Sequence, residues 1–270
     1  MDFTFFIDMV KLNRNSKIAE FVGLSFGDGG LTDRGDTNRK RYQLRGDLRE
    51  EKEFYDNYVI PLFNKEVMIP LFNRNVGIVF NKNKNFYGLS VESVGIEKSF
   101  NRIGIPTGVK EELFVPKWIK NNRNYIINFL RGLFDTDGSI WCEKNYSLKN
   151  PKFHTKVKLN LSTTSKTFAK ELLELVSLVG IKCFLKKYVY KSKSWRDLYI
   201  IMIDGGINVK KWFELIGSNN SKHVTKYEIW MKFGFCPPKT ILNERRKILK
   251  GELDILDRYA EVPERSNGLG

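Results

Sequence analysis

The 270 residues are enough for one large domain or two small ones. Lysine and arginine number 46 against 31 aspartates and glutamates, and the resulting net charge of +15 favours a polyanionic partner, either nucleic acid or an anionic membrane. No apolar run is long enough to span a bilayer, and Phe3–Val10 lacks the basic start of a signal peptide. Three cysteines without a CxxC pair and only two histidines argue against a zinc site. We therefore expect an intracellular protein.

The predicted elements follow the same order twice along the chain. Apolar residues at helical spacing predict helices, and alternation of apolar with polar residues predicts strands. In the first half the predicted order is helix 17–27, strand 41–45, helix 50–66, and strands 76–80 and 86–91. In the second half it is a helix ending near 137, strand 156–162, helix 165–179, and strands 182–190 and 198–203. Each half is expected to be an α+β unit of order αββαββα, with its helices on one face of the sheet.

Two nine-residue segments indicate that the chain is a diverged duplication. Residues 21–29 (FVGLSFGDG) and 130–138 (LRGLFDTDG) share the pattern apolar-x-Gly-Leu-x-x-small-Asp-Gly, with Asp28 lying 109 residues before Asp137. A second pair, residues 100–104 and 213–217, recurs at an offset of 113, and a third pair, Lys110 and Lys226, recurs at an offset of 116. Landmarks in the same order at a nearly constant offset predict two related halves. The predicted organisation is an N-terminal half at 1–104, a linker at 105–121, a C-terminal half at 122–250 and a tail at 251–270.

The two aspartates of these segments are the candidate metal ligands. An aspartate at the C-terminus of a helix faces the negative end of the helix dipole, which is unfavourable unless a cation compensates. Two such carboxylates at equivalent positions predict a site for Mg²⁺, with Mn²⁺ or Ca²⁺ as alternative ions, and hydrolysis of phosphodiesters. Gly27 and Thr136 precede the aspartates and complete the candidate metal-binding set. The alternative is that Asp28-Gly29 and Asp137-Gly138 are ordinary helix ends, with each glycine at the C-cap.

Two glycines inside the motif helices suggest how the carboxylates come together. Gly23 and Gly132 each cost a helix about 1 kcal/mol relative to alanine. They are either tolerated substitutions or the positions where the two helices contact each other closely. Packing of the helices about a pseudo-two-fold axis would bring Asp28 and Asp137 side by side.

The paired segments resemble the LAGLIDADG signature of homing endonucleases. Residues 130–138 are a close match, whereas the first copy has Ser25 and Phe26 where the family has Ile-Asp. The resemblance covers roughly residues 16–250. It implies a monomer whose halves form a saddle of antiparallel sheets on double-stranded DNA. It also implies an intron-encoded enzyme that cuts both strands of a long asymmetric site with a divalent metal and leaves 3′ overhangs. By the same resemblance, Lys110 and Lys226 would stabilise charge on the cleaved phosphate or activate water; the alternative is two surface lysines.

The polar faces of the predicted strands supply the candidate DNA-binding surface. Arginine, lysine and amide side chains on a strand ribbon can contact base edges in the major groove, and basic turns at strand ends can contact phosphates. The alternative is a solvated sheet face. The candidate residues are Arg41, Gln43, Arg45, Lys82, Lys84, Lys156, Lys158, Asn160, Lys186, Tyr188, Tyr190, Lys193 and Arg196. The basic cluster at 243–250 is predicted to be a helix that either binds DNA or is solvated.

These patterns leave two main functions from different classes, with a metal-free transcription regulator on a similar fold as a third and least favoured one. The favoured one is a double-strand DNA endonuclease in the cytoplasm of a prokaryote, with an archaeal origin favoured, or in an organelle, acting without a protein partner or a membrane. The alternative is a nucleic-acid-binding protein without nuclease activity, such as an RNA maturase. The presence of both Asp28 and Asp137 favours the nuclease, because a protein that only binds has no chemical need for paired carboxylates at unfavourable helix ends.

Overall fold

The computed structural model describes residues 11–33, 35, 39–146, 153–190 and 196–257. The first unit contains α1 (Ser16–Phe26), β1 (Gly29–Asp33), β2 (Arg39–Asp47), α2 (Leu48–Phe54), α3 (Ile60–Phe63), α4 (Ile69–Phe72), β3 (Ile78–Asn81), β4 (Phe86–Val94) and α5 (Ile96–Ile103). The second unit contains α6 (Lys117–Lys120), α7 (Arg123–Asp137), β5 (Gly138–Lys144), β6 (His154–Thr163), α8 (Lys166–Leu178), β7 (Phe184–Tyr188), β8 (Leu198–Asp204), α9 (Gly206–Leu215), α10 (Ser221–Phe233) and α11 (Leu242–Lys250). Among these residues no helix has the length and apolar character needed to cross a membrane.

The two units share one sheet topology. Each has a four-stranded antiparallel sheet, in the orders β1-β2-β4-β3 and β5-β6-β8-β7. Tyr42 and Leu44 of β2 and Leu159 and Leu161 of β6 are fully buried, and the polar residues between them lie on the opposite face. The predicted α+β class with two antiparallel sheets is confirmed.

The helix that follows β2 is longer than predicted. The elements α2, α3 and α4 are parts of one continuous helix, joined by π-helical turns at Tyr55–Val59 and Asn64–Met68. Each π turn comes just before a proline, Pro61 or Pro70. Proline lacks an N–H, and its ring clashes with the carbonyl one turn earlier, so a wider turn lets the helix continue past it. The helix ends at Asn73, whose φ of 49° is left-handed.

The central helices α1 and α7 pack directly against each other. A Cβ atom on Gly23 would lie 2.2 Å from the carbonyl oxygen of Phe129, and one on Gly132 would lie 2.2 Å from the carbonyl oxygen of Glu20. No real side chain fits at such distances, so each glycine is needed for the backbones to approach. Because the contact is reciprocal, the two helices end at the same level.

The last two helices connect the units. Arg245 of α11 is almost completely buried and donates hydrogen bonds to Glu50 of α2 at 2.6 Å and to Thr225 of α10 at 2.9 Å. The cluster at 243–250 is helical as predicted. Its central arginine, however, is neither solvated nor free to bind DNA, because it binds the first unit.

Candidate active site at the ends of the central helices

The two motif aspartates lie where the central helices end. Asp137 is the last residue of α7, and Asp28 lies between α1 and β1. A Cβ atom on Gly27 would lie 2.0 Å from the hydroxyl oxygen of Thr136 and 3.2 Å from the carboxyl carbon of Asp137. The ends of the helices are therefore in contact. Asp28 is half-buried and Asp137 is the more exposed of the two.

The glycines after the aspartates do not cap the helices in a left-handed conformation. Gly138 is extended, with φ −77° and ψ 162°, and Gly29 is the first residue of β1. Both are required for close packing instead. A Cβ atom on Gly29 would lie 2.6 Å from Cα of Ser25, and one on Gly138 would lie 2.1 Å from the ring of Phe134.

Each carboxylate is in surroundings that disfavour its charge. Burial and the negative charges of Glu51 and Asp137 together raise the pKa of Asp28 to about 7, against the opposing charges of Lys222 and Lys110. Burial also raises the pKa of Asp137 above its usual value. A divalent cation between the two would relieve both effects, so the carboxylates fit the ion that the sequence predicts.

The other predicted metal-binding groups are engaged within the protein. The carbonyl of Gly27 accepts a hydrogen bond from Lys110, and the hydroxyl of Thr136 donates to the carbonyls of Gly132 and Leu133. No three His, Cys, Asp or Glu side chains converge as a metal site anywhere in the described ranges. For a bound Mg²⁺ the two aspartates would be the principal protein ligands, and water or DNA phosphate would supply the rest, as is usual for this ion.

Lys110 lies at the end of α1. Its amine donates to the carbonyls of Ser25, Phe26 and Gly27 at 2.7, 2.9 and 2.7 Å, which satisfies the last turn of a helix that has no left-handed cap. Burial lowers the pKa of Lys110 to about 8, against the opposing fields of Asp137 and Asp28. The sequence-predicted residues Asp28, Asp137 and Lys110 are thus brought together.

The second lysine near the carboxylates is Lys222, not Lys226. Lys222 and Lys110 are the cations whose charges act on both Asp28 and Asp137. Lys226 lies one turn further along α10, where burial and Arg245 lower its pKa and Cys236 is a neighbour. The repeat itself contained the signal. Lys222 follows Lys110 by 112 residues, within the 109–113 of the other landmarks, whereas Lys226 follows it by 116.

Sequence reasoning also missed Glu51. This residue is in the first turn of α2 and is 4% exposed. Its carboxylate accepts hydrogen bonds from the amine of Lys222 and the amide of Asn220, both at 2.8 Å, and from the backbone of Asp47 at 2.7 Å. Because Glu51 stands in an almost continuous run of charged residues at 47–53, its sequence context is typical of a solvated helix face.

A cleft of about 300 Å³ opens beside the carboxylates. Its lining includes Lys110, Asp137 and Gly27, together with Ser162 and Thr163 at the end of β6. The site is therefore open on the side of Asp137, where the lining combines hydroxyl groups and one amine with the apolar side chains of Phe26, Leu113, Phe168 and Leu198.

The candidate DNA-binding residues of the first unit lie on the outward face of its sheet. Arg41 pairs with Glu92 at 3.1 Å, Gln43 donates to Ser90 at 3.2 Å, and the guanidinium of Arg45 lies 4.3 Å from the ring centre of Phe86. The turn between β3 and β4 exposes Lys82 and Lys84. These contacts hold the side chains against the sheet, and all three residues stay partly exposed.

The second unit presents a matching face with more acidic neighbours. Lys158 pairs with Glu143 at 2.6 Å, Lys156 lies 3.6 Å from Asp204, and Asn160 lies opposite Ser139 on β5. At the edge, Lys186 and Tyr188 are exposed, Tyr190 contacts the ring of Tyr188 at 5.0 Å, and Arg196 pairs with Glu111. Lys193 lies outside the described residues.

Comparison with known proteins agrees with this architecture. Residues 124–217 match the model of the LAGLIDADG-like domain. The crystal structure of I-DmoI in complex with DNA and Mn has a TM-score of 0.51 at 17% identity, covering 75% of this chain and 96% of that chain. A structure of mesophilic variants of the homing endonuclease I-DmoI also has a TM-score of 0.51, at 16% identity, covering 75% of this chain and 95% of that chain. The family model thus includes the second of the two nine-residue segments, and the two structures share the fold of this chain.

The curated relatives that match are much longer proteins. An uncharacterized protein of Methanocaldococcus jannaschii is 42% identical over 217 residues, which are 77% of this chain and 22% of that protein. A glutamine–fructose-6-phosphate aminotransferase of the same organism is 25% identical over 74% of this chain and 16% of its own length. A tRNA-splicing ligase of Methanopyrus kandleri is 28% identical over 67% of this chain and 18% of its own length. The chain thus spans about a fifth of the length of these relatives.

Proposed function

We propose that this chain, which carries a LAGLIDADG-like domain and has the two-unit LAGLIDADG fold, is a site-specific endonuclease that hydrolyses both strands of double-stranded DNA. The observation that carries the proposal is the pair of carboxylates, Asp28 and Asp137, at the touching ends of the central helices. Their raised pKa values mark a site that favours a bound cation. A protein that only binds nucleic acid has no use for such an arrangement.

The roles of the residues follow from their positions. Asp28 and Asp137 would hold the divalent cation, which supplies a Lewis acid and a water of lowered pKa when it is bound. Lys110 and Lys222 place positive charge beside these carboxylates. We assign to both lysines the stabilisation of negative charge that develops on the phosphate during cleavage. Each amine is already held in place, Lys110 by three carbonyls and Lys222 by Glu51, so little reorganisation is required.

The two outward sheet faces are the proposed DNA contact. The faces carry arginine, lysine and amide side chains at strand spacing, and exposed lysines lie in the turn at 82–84. The net charge of +15 would attract the phosphate backbone, and the strand residues would contact base edges. Because Arg41, Lys156 and Lys158 each have an acidic neighbour, non-specific affinity is moderated on both faces.

The curated relatives support the proposal that this segment is a module that occurs within different proteins. The same segment recurs in proteins with different names, an aminotransferase and an RNA ligase, and occupies less than a quarter of each. Such a distribution is expected of a module that moves between host genes and contributes to neither host activity. We propose that its target is the uninterrupted sequence of its host gene. An intron origin and 3′ overhangs stay predictions.

The test is cleavage of DNA by the purified chain. The protein is incubated with a plasmid carrying the uninterrupted host sequence, with Mg²⁺ or with EDTA. We expect linear product only with Mg²⁺. Asp28→Asn and Asp137→Asn should abolish cleavage while retaining DNA binding in Ca²⁺, and Glu228→Gln, a change at an exposed carboxylate of α10, is the matched control. Tight binding without cleavage by the unaltered protein would refute the nuclease and favour the binding alternative, such as an RNA maturase.

A further inference from the structure

The carboxylate of Glu51 is a junction between the two units. It belongs to α2 of the first unit, yet two of its three hydrogen-bond donors, Asn220 and Lys222, come from the second unit. The third donor is the backbone of Asp47, the residue that caps α2. Both carboxylate oxygens are thereby engaged, which favours a positioning role for Glu51 over a role as a metal ligand.

The loop before α10 fixes this junction to the central helices. The amide of Asn220 also donates to the carbonyl of Asp135 in α7 at 2.8 Å, and its side-chain oxygen caps α10. The hydroxyl of Ser218 donates a hydrogen bond to the buried carboxylate of Asp135 at 2.5 Å, and the backbone N–H of Asn219 donates to the same carboxylate at 3.0 and 3.2 Å. The first turn of α10 is therefore attached to α7 two residues before Asp137. Glu51 completes the attachment by holding the amine of Lys222.

The two lysines are held by different means. Lys110 is fixed by backbone carbonyls, and it lines the same open cleft as Asp137. Glu51 and Lys222 are not part of that cleft lining. The site thus has two unequal sides, an open one where Asp137 and Lys110 line the cleft and a closed one formed by the hydrogen-bonded pair of Glu51 and Lys222.

We propose that Glu51 is a positioning residue that holds Lys222 for the cleavage of one of the two DNA strands only. The inference rests on the proposed nuclease function and extends it, because it predicts that the two strand cleavages can be separated by a change at a residue outside both motifs. Lys110 needs no such residue, since the end of α1 already fixes its amine.

The experiment measures the two strands separately. A duplex target labelled differently on each strand is cut by excess full-length protein, and first-order rates are compared for the unaltered protein and Glu51→Gln. We expect one strand to be cut about tenfold or more slowly and the other within about twofold, so that nicked DNA accumulates. Lys222→Met should slow the same strand, and Lys110→Met the opposite one. The control is Glu53→Gln, on the same helix as Glu51, which removes a solvent-exposed ion pair with Arg246 of α11.

Three results would overturn the inference. Equal slowing of both strands would do so, and so would no change in either. The third is a loss of Ca²⁺ binding in Glu51→Gln as large as that in Asp28→Asn, measured by calorimetry, which would make Glu51 a metal ligand. Failure of the unaltered protein to cut either strand is distinguishable from all three, since it refutes the proposed function itself.

Discussion

Gly23 and Gly132 face each other's helix, each with its α-carbon against a backbone carbonyl of the other. This reciprocal contact brings the ends of α1 and α7 to one level and so places the two carboxylates together. The position of the site depends on the absence of two methyl groups.

Replacing either glycine with alanine should therefore destabilise the protein. The added Cβ would lie 2.2 Å from a carbonyl oxygen that belongs to a rigid helix, so the helices must separate. We expect a loss of about 1–3 kcal/mol in the free energy of unfolding, measured by chemical denaturation. Gly77→Ala, where a Cβ meets nothing within 4 Å, is the control and should change stability by less than about 0.5 kcal/mol. Equal effects at Gly23 and Gly77 would contradict the packing argument.

The parts of the molecule that the sequence predicts well are those that depend on a local repeating pattern. The alternation around Tyr42 and Leu159 and the recurrence of Asp28 and Asp137 are visible as periods and offsets. Helix length was harder: the predicted helix 50–66 ends before Phe72, because Pro70 predicts a break unless a π turn precedes it, and nothing local announces the π turn.

Residues whose role depends on a partner distant in the sequence could not be found in this way. Glu51 meets Lys222 across 171 residues, and Glu50 meets Arg245 across 195. In the sequence Glu50, Glu51 and Arg245 stand among other charged residues and Lys222 in a polar segment, where a solvated surface is the ordinary interpretation. Only the packing of α10 and α11 against α2 distinguishes the buried partners from their exposed neighbours.

Arg245→Met should be among the most destabilising single changes. Its guanidinium is 1% exposed and binds Glu50, so its removal leaves a carboxylate with its main positive partner gone. We expect a loss of about 3–5 kcal/mol in the free energy of unfolding. Arg246→Met, one residue along, removes an ion pair that is about 40% exposed and should cost less than about 1 kcal/mol. A similar cost for both changes would show that burial of Arg245 is unimportant.

The loss of folding stability at acidic pH should depend on His223. This histidine is fully buried against the ring of Phe134, and burial holds its pKa well below the usual value. The unfolded chain takes up a proton below about pH 6.5 and the folded chain does not, so stability falls as pH decreases through that region. His223→Leu should flatten the fall between pH 6.5 and 5 in a series of thermal melts. His154→Gln, a change at the partly exposed histidine, should leave most of this decrease in stability. If His223→Leu shows the same decrease as the unaltered protein, other groups cause it.

Asp28 should have the opposite pH dependence. Its pKa of about 7 in the folded protein exceeds the usual 3.8, so the folded state keeps a proton that the unfolded state has lost, and stability falls as pH rises from about 4 to 7. Without metal at pH 8, Asp28→Asn should be more stable than the unaltered protein by an amount on the order of 2 kcal/mol, and near pH 4 the difference should vanish. Mg²⁺ should raise the melting temperature of the unaltered protein only. Equal melting temperatures at pH 8 in EDTA would contradict the raised pKa.

Substitutions on the sheet faces should separate specificity from affinity. Gln43 and Asn160 are amides on the outward faces, where a bidentate contact to adenine discriminates by about 1–3 kcal/mol, so alanine there should relax preference at one base position of a randomised target library. Lys82 and Lys84 lie in a turn suited to phosphate. Alanine at either should weaken binding to all sequences alike and lower the slope of log affinity against log salt by about 1. A uniform loss at Gln43, or an altered base preference at Lys82, would mean that the turn and not the strand contacts the bases. The proposed docking of the sheet faces on DNA would then be wrong.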